Sequence, residues 1–247
     1  MKNLIKASVI GLLLLLRVQL VLAQPDIRYL DNTGVFKMGG GTLTPGQDFS
    51  KSSGNGLHAK PGHQVNFAFN YIISHGIGIG AHLDVNRFRF NEQSFLMQTN
   101  PTNYRILGKF ASTKLGLNLV ANVPIVIHQK HFTVNLFGEF QAGLRGMKIP
   151  SIDLRFSELE NKFVEVNYRS RNNTMGYLGG NAGIQLLFSN KIGCYAAYHL
   201  TLRSRHSIKY SVRAFDASGQ LYEDENYLNN YLDATGLQFG VFFVFGK

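Results

Sequence analysis

From Gln64 to Tyr71 the chain reads QVNFAFNY, which puts Val65, Phe67, Phe69 and Tyr71 on one face and Gln64, Asn66, Ala68 and Asn70 on the other. Ser74-His75-Gly76 turns the chain. Ile77, Ile79, Ala81, Leu83 and Val85 then oppose Gly78, Gly80, His82, Asp84 and Asn86, so the two runs predict a hairpin. The same alternation returns over 113–123, where Leu115, Leu117, Leu119 and Ala121 oppose Lys114, Gly116, Asn118 and Asn122. After His128-Gln129-Lys130, a run from Phe132 sets Val134, Leu136, Phe140, Ala142 and Leu144 against Thr133, Asn135, Glu139, Gln141 and Arg145. Three more runs follow, over 178–188, 192–203 and 237–245, the first two joined by Ser189-Asn190-Lys191. A poorer strand around 35–43 is diluted by Gly39-Gly40-Gly41. That makes about eight strands, the smallest even number among outer-membrane barrels.

Connection lengths give an independent signal. Long stretches near 44–62, 91–104, 150–175 and 206–232 alternate with short ones at 74–76, 124–130 and 189–191, the pattern of long outer loops and short periplasmic turns. Pro25, Pro45, Pro61, Pro101 and Pro150 fall outside the expected strand interiors, and Pro124 sits where a strand reaches its turn. Within the long stretches, 152–156 and 163–168 alternate around Glu160-Asn161, and 208–212 precedes Ser218-Gly219, so these loops are expected to rise as hairpins.

A lipocalin-type soluble barrel of eight strands would bury its apolar face. Here Gly78, Gly80, Gly116, Gly143, Gly179, Gly183 and Gly240 lie on the polar face, where small residues leave room for large neighbours inside a narrow barrel. The expectation is therefore an all-β, eight-stranded antiparallel up-and-down transmembrane β-barrel, apolar outside and polar inside.

Met1 to Lys6 carries two lysines, Ala7 to Leu16 is nearly all aliphatic, and Val21-Leu22-Ala23 ends in a small residue before Gln24. This pattern predicts a signal peptide over 1–23 and a barrel domain over 24–247. Arg17 splits the apolar run below the length of a comfortable membrane helix, and no Cys follows Ala23 to carry a lipid.

Composition agrees with the strands. The 247 residues include 26 Gly, 19 Phe and 11 Tyr beside no Trp, a balance that weakens helices and suits pleated surfaces. The lone cysteine, Cys194, excludes an internal disulfide and a cysteine-based zinc site. The formal charge of +10 becomes +7 once Lys2, Lys6 and Arg17 leave with the first 23 residues. Its spread along the chain suggests anionic lipid, including lipopolysaccharide, and no nucleic acid.

The signal peptide, the loop pattern and the closing Leu237-Gln238-Phe239-Gly240-Val241-Phe242-Phe243-Val244-Phe245 resemble outer-membrane β-barrel families of Bacteroidota, including PorT-like proteins. The resemblance implies an outer-membrane location with both termini in the periplasm, and for PorT-like members a part in a secretion apparatus. Secretion-system or surface proteins are the partners it suggests. Gly246 and Lys247 follow Phe245, so the chain departs from the commonest form of the closing signal, which ends on the aromatic.

Counted from the inner strand ends, Asp84, Lys114, Glu139, Asn181 and His199 fall seven or eight residues in, and so are expected to form one polar layer. In a narrow barrel with Arg145 and Arg203 also inside, such groups should pair and fill the lumen rather than conduct solutes or catalyse. His199-Leu200-Thr201 faintly resembles the His-x-Ser arrangement of lipid A deacylase barrels, but Thr replaces Ser, both residues face inward and no supporting acid is spaced to help. His58, His63, His128, His131 and His206 lack metal-ligand spacing. The expectation is no catalytic, cofactor or metal site, with a lipid-modifying enzyme or a narrow solute channel as the alternatives.

Overall fold

The computed structural model describes residues 30–52, 56–125, 132–157, 163–171, 173–188, 191–216 and 218–246. The expected signal peptide with its cleavage point, Pro25, the turn at 128–130, Ser189-Asn190 and the tip Glu160-Asn161 lie outside the described residues.

Eight antiparallel strands close into a barrel: β1 (Thr33–Pro45), β2 (Ala59–Ser74), β3 (Ile77–Phe90), β5 (Phe110–Ile125), β6 (Phe132–Lys148), β9 (Asn173–Phe188), β10 (Ile192–Thr201) and β13 (Ala234–Phe245). Each pairs with its neighbour in this order, and β13 returns to β1 through Gly34↔Phe245 to Pro45↔Ala234. This is the up-and-down meander that the alternation predicts.

The β2–β3 turn shows the local cause. His75 and Gly76 both take positive φ, 51° and 73°, the two left-handed residues that a tight hairpin of matching twist needs. Pro61 lies inside β2, further in than expected. It is tolerated because the register shifts between Lys60 and Gly62, a bulge where no ladder donor is required.

The two faces divide as the alternation demands. Leu115, Leu117 and Leu119 are 62%, 72% and 60% exposed on the outside, whereas Lys114 is 1% and Asn118 2% exposed on the inside. Glycines make room for the inward side chains. A Cβ on Gly39 would lie 2.3 Å from the Tyr195 hydroxyl, and one on Gly240 2.6 Å from the Tyr195 ring, so this cross-strand glycine pair seats the tyrosine.

Apolar clusters close off each end of the lumen. At the short-turn end Val35, Ile72, Val120, Phe137 and Phe242 pack together with Tyr195. At the other end the one-turn helix α1 (Gln47–Ser50) pushes Phe49 into the mouth, edge-on to Phe88 at 5.0 Å and Phe110 at 5.4 Å. Burying each such aromatic is worth about 1.5–3 kcal/mol.

The long connections do more than form separate hairpins. β4 (Asn103–Leu107), β7 (Ser151–Ser157), β8 (Phe163–Ser170), β11 (Arg205–Phe215) and β12 (Leu221–Tyr231) join in one five-stranded sheet, ordered β12-β11-β8-β7-β4. A helix unforeseen from the sequence, α2 (Glu92–Thr99), precedes β4. Asn91 caps its start, and Asn100, at φ 45°, ends it by donating its N–H to the Leu96 carbonyl.

Candidate functional site

The five residues expected to share a layer are all buried, at 1–6% exposure. Four of them form a connected chain. Asn181 Nδ2 donates to Glu139 Oε2 at 2.9 Å, which leaves Asn181 Oδ1 to accept from His199 Nδ1 at 2.7 Å. His199 therefore carries its proton on Nδ1, and its Nε2 accepts from Lys114 Nζ at 3.2 Å. Lys114 also donates to Thr201 Oγ1 at 2.6 Å. Asp84 sits opposite Lys114 in register, yet its Oδ2 has no hydrogen-bond partner among the described residues.

The direct partner of Glu139 was not foreseen. Lys37 Nζ reaches Glu139 Oε1 at 2.5 Å, and Asn70 Nδ2 donates to the same oxygen at 3.1 Å. Lys37 also stands 3.9 Å above the Phe137 ring. The sequence carried a signal, a lone cation between Phe36 and Met38 on the inward phase, masked by the glycines that blur β1. Other inward groups join the network: Asn118 donates to Asn70, Tyr195 to Asn66, and His82 bonds the Tyr177 hydroxyl.

One further expectation needs correction. Arg203 is not inside the barrel; it lies beyond β10, exposed, and pairs with Asp48. The strand ends at Thr201, so the alternation no longer fixes its direction, while Arg145 does stay inside, donating to Ser112 Oγ at 2.8 Å and the Leu232 carbonyl at 2.6 Å. His63 lies within β2 and His206 at the start of β11.

Chemically, this interior can hold charge and hydrogen bonds in place, but Thr201 Oγ1 faces Lys114 and His199 within the wall. Among the described residues no carboxylate bonds His199, whose Nδ1 is taken by Asn181. Among the described residues no group of three His, Cys, Asp or Glu side chains could hold a metal.

The outer sheet is polar and cross-braced. Arg155 pairs with Glu165 and Arg213 with Glu223, each directly across a ladder, and Arg169 pairs with Asp153. Exposed pairs of this kind contribute about 0–1 kcal/mol each and set register more than stability. Asp216 closes the β11–β12 turn by accepting from the Ser218 hydroxyl at 2.6 Å and the Gln220 N–H at 2.9 Å; these bonds hold its carboxyl below the ordinary carboxylate range. Burial beside Tyr210 raises the Tyr168 phenol above its ordinary value.

No protein-family model and no curated protein matches this sequence. Among solved structures the chain is similar to Ail, the attachment invasion locus protein of Yersinia pestis, at 12% identity and a TM-score of 0.44, covering 87% of this chain and 99% of that one. It is also similar to Neisserial surface protein A, at 12% identity and a TM-score of 0.44 over 86% and 97% of the two chains. The outer membrane protein OprG from Pseudomonas aeruginosa gives 10% identity and a TM-score of 0.45 over 89% and 98%. The barrel rests on this chain's own strand pairing, not on these likenesses.

Proposed function

We propose that this chain is a non-enzymatic outer-membrane β-barrel with a filled interior, in which the five-stranded outer sheet carries recognition for interaction, anchoring or secretion. The observation that carries the reading is the inversion of the two faces. Leu117 and Phe239 stand 72% and 58% exposed, while Asp84, Lys114 and His199 are buried at 2% or less. Water would reward the opposite arrangement; a bilayer rewards this one. β2, β5 and β9, at 16 residues each, and β6, at 17, exceed the 9–11 that cross the hydrocarbon, and their surplus lifts the outer sheet clear of the membrane.

β1 begins and β13 ends at the short-turn end, which in this reading faces the periplasm, with residues 1–23 removed. Lipid and lipopolysaccharide surround the wall, and secretion-system or surface proteins of the PorT-like kind meet the sheet. His199 and Thr201, the pair that most resembles a hydrolase, are held inside and away from lipid, which supports a structural role for them.

The test separates sheet from barrel. Replacing 151–170 or 208–224 by short turns should leave the barrel folded, seen as heat-dependent gel migration of outer-membrane fractions, and abolish the phenotype of the deleted gene. A normal phenotype in both shortened forms would overturn the assignment of recognition to the sheet.

A further inference from the structure

At the long-loop end of the barrel a basic row crosses the outside of four adjacent strands, from His63 on β2 through Arg87 on β3 and Ala111 on β5 to Lys148 on β6. Lys60 lies opposite Arg89 in the row above. His63, Arg87 and Lys148 continue the outward phase of Val65, Leu83 and Leu144, so they sit directly over the apolar wall. Lys60, Arg87, Arg89 and Lys148 are all exposed, and none pairs with an acid among the described residues. Arg89 Nε donates to the Pro61 carbonyl at 3.2 Å, which holds its guanidinium at the rim. The other half of the wall is different: the outward positions at the outer ends of β9, β10, β13 and β1 are Thr174, Leu200, Thr235, Thr42 and Thr44. A general interfacial belt of lysine and arginine would ring the barrel, whereas this charge is confined to one side.

Six residues further down the same four strands, the row Phe69, Ala81, Leu117 and Ala142 crosses the apolar wall. Its two alanines leave a hollow of about 500 Å³ between Phe69, Leu117 and Phe140. Six residues cover about 20 Å of strand, which at a tilt near 40° is about 15 Å of depth, half the hydrocarbon thickness. The hollow therefore lies at the depth where acyl chains anchored at the cations end. Tilt also carries it about 13 Å sideways, a span suited to a broad lipid with several acyl chains.

We propose that this face seats one molecule of a phosphorylated, multiply acylated glycolipid of the outer leaflet. One phosphate lies between Arg87 and Lys148, a second meets Lys60 and Arg89, and an acyl chain fills the hollow. Arg87 and Lys148 stand two strands apart, about 10 Å, and the short Ala111 side chain between them leaves room for their ends to converge. The arginine fork matches phosphate oxygens, and four unpaired cations complement more than a single phosphate charge. The site rests on the reading that the apolar face meets lipid, and it turns the general lipid contact of that reading into one place on the wall.

The test uses the full mature chain refolded in neutral detergent, shown to be folded by heat-dependent gel migration, with native mass spectrometry counting the lipid retained. Diphosphoryl lipid A should stay bound at one molecule per chain. The same lipid stripped of its phosphates, and the two-chain phosphatidylglycerol, should each be retained less by roughly 10-fold or more. Arg87→Gln with Lys148→Gln should lower retention of diphosphoryl lipid A by about 30-fold. Arg105→Gln with Lys191→Gln, which removes two exposed cations elsewhere, should leave it unchanged. Ala81→Phe with Ala142→Phe, which fills the hollow, should lower it severalfold with every cation in place. Equal retention of the three lipids by wild type would overturn the proposal whatever the variants do, and so would equal losses in the two glutamine pairs. Unchanged retention in the folded phenylalanine pair would overturn the acyl seat. With a spin label at Leu117 reporting lipid, these failures sink the site alone; a label in water would sink the underlying reading as well.

Discussion

Lys37 on β1 and Glu139 on β6 meet at 2.5 Å across the full width of the barrel, since these strands stand four places apart in a ring of eight. The pair is a strut rather than a neighbour contact. Both side chains are 1–2% exposed, and Asn70 and Asn181 satisfy the remaining carboxylate valences, which is what a buried ion pair needs to persist.

Breaking the strut from one side should therefore be severe. Lys37→Met or Glu139→Gln should each destabilise the barrel by about 3–5 kcal/mol, because a buried charge or its donors are left unpaired. The double variant should lose less than the sum of the two. Urea unfolding of barrels refolded into lipid checks both statements; additive losses would mean that the pair is not coupled.

The lumen should not conduct. Phe49 closes one mouth, the cluster around Phe242 closes the other, and between them Lys37, Glu139, Asn181, His199 and Lys114 form one bonded chain. Planar-bilayer recordings of pure protein should give no stable open level, and large steady conductance steps would refute a filled interior.

His199 should matter to stability and not to lipid chemistry. Its removal leaves Asn181 Oδ1 without its donor and takes one acceptor from Lys114, so His199→Ala should destabilise by about 1–3 kcal/mol. Mass spectrometry of lipid A should find the same acyl chains with wild type and variant; a His199-dependent loss of a chain would make this an enzyme.

Mild acid should loosen the outer end of the molecule. Burial lowers the pKa of both His58 and His206, with the Arg145 charge adding to the effect on His206. Each binds fewer protons folded than unfolded, so its share of stability is present above the ordinary histidine value of about 6.5 and is lost as pH falls through that value toward the lowered one. Corrected for the intrinsic fall of amide exchange with pH, protection in 56–60 and 205–215 should drop between pH 7.5 and 5, and protection in β5 should not. No difference between the two regions would contradict the assignment.

The eight wall strands were legible because lipid outside and polar groups inside impose a strict period of two, as in Leu115 to Asn122. What escaped notice lay where that period is weak. The glycines of β1 hid Lys37, and so the cation that pairs with Glu139. β4 has only five residues, too few to show alternation, and its place in the outer sheet depends on distant β7. The helix over 92–99 lacks a buried face, and its readable marks were the Asn91 and Asn100 caps beside Pro101. Spacing placed His199, Asn181, Lys114 and Glu139 together, but could not supply which atom donates to which, and it misplaced Arg203 because the strand ends two residues earlier, at Thr201.

The central claim is that the apolar face meets lipid, and a spin label at position 117 tests it most directly. In a Cys194→Ala background, labelled Leu117→Cys in outer-membrane vesicles should relax strongly with oxygen, which concentrates in hydrocarbon, and weakly with a water-soluble nickel chelate. Strong relaxation by the chelate with little effect of oxygen would place Leu117 in water and contradict the account.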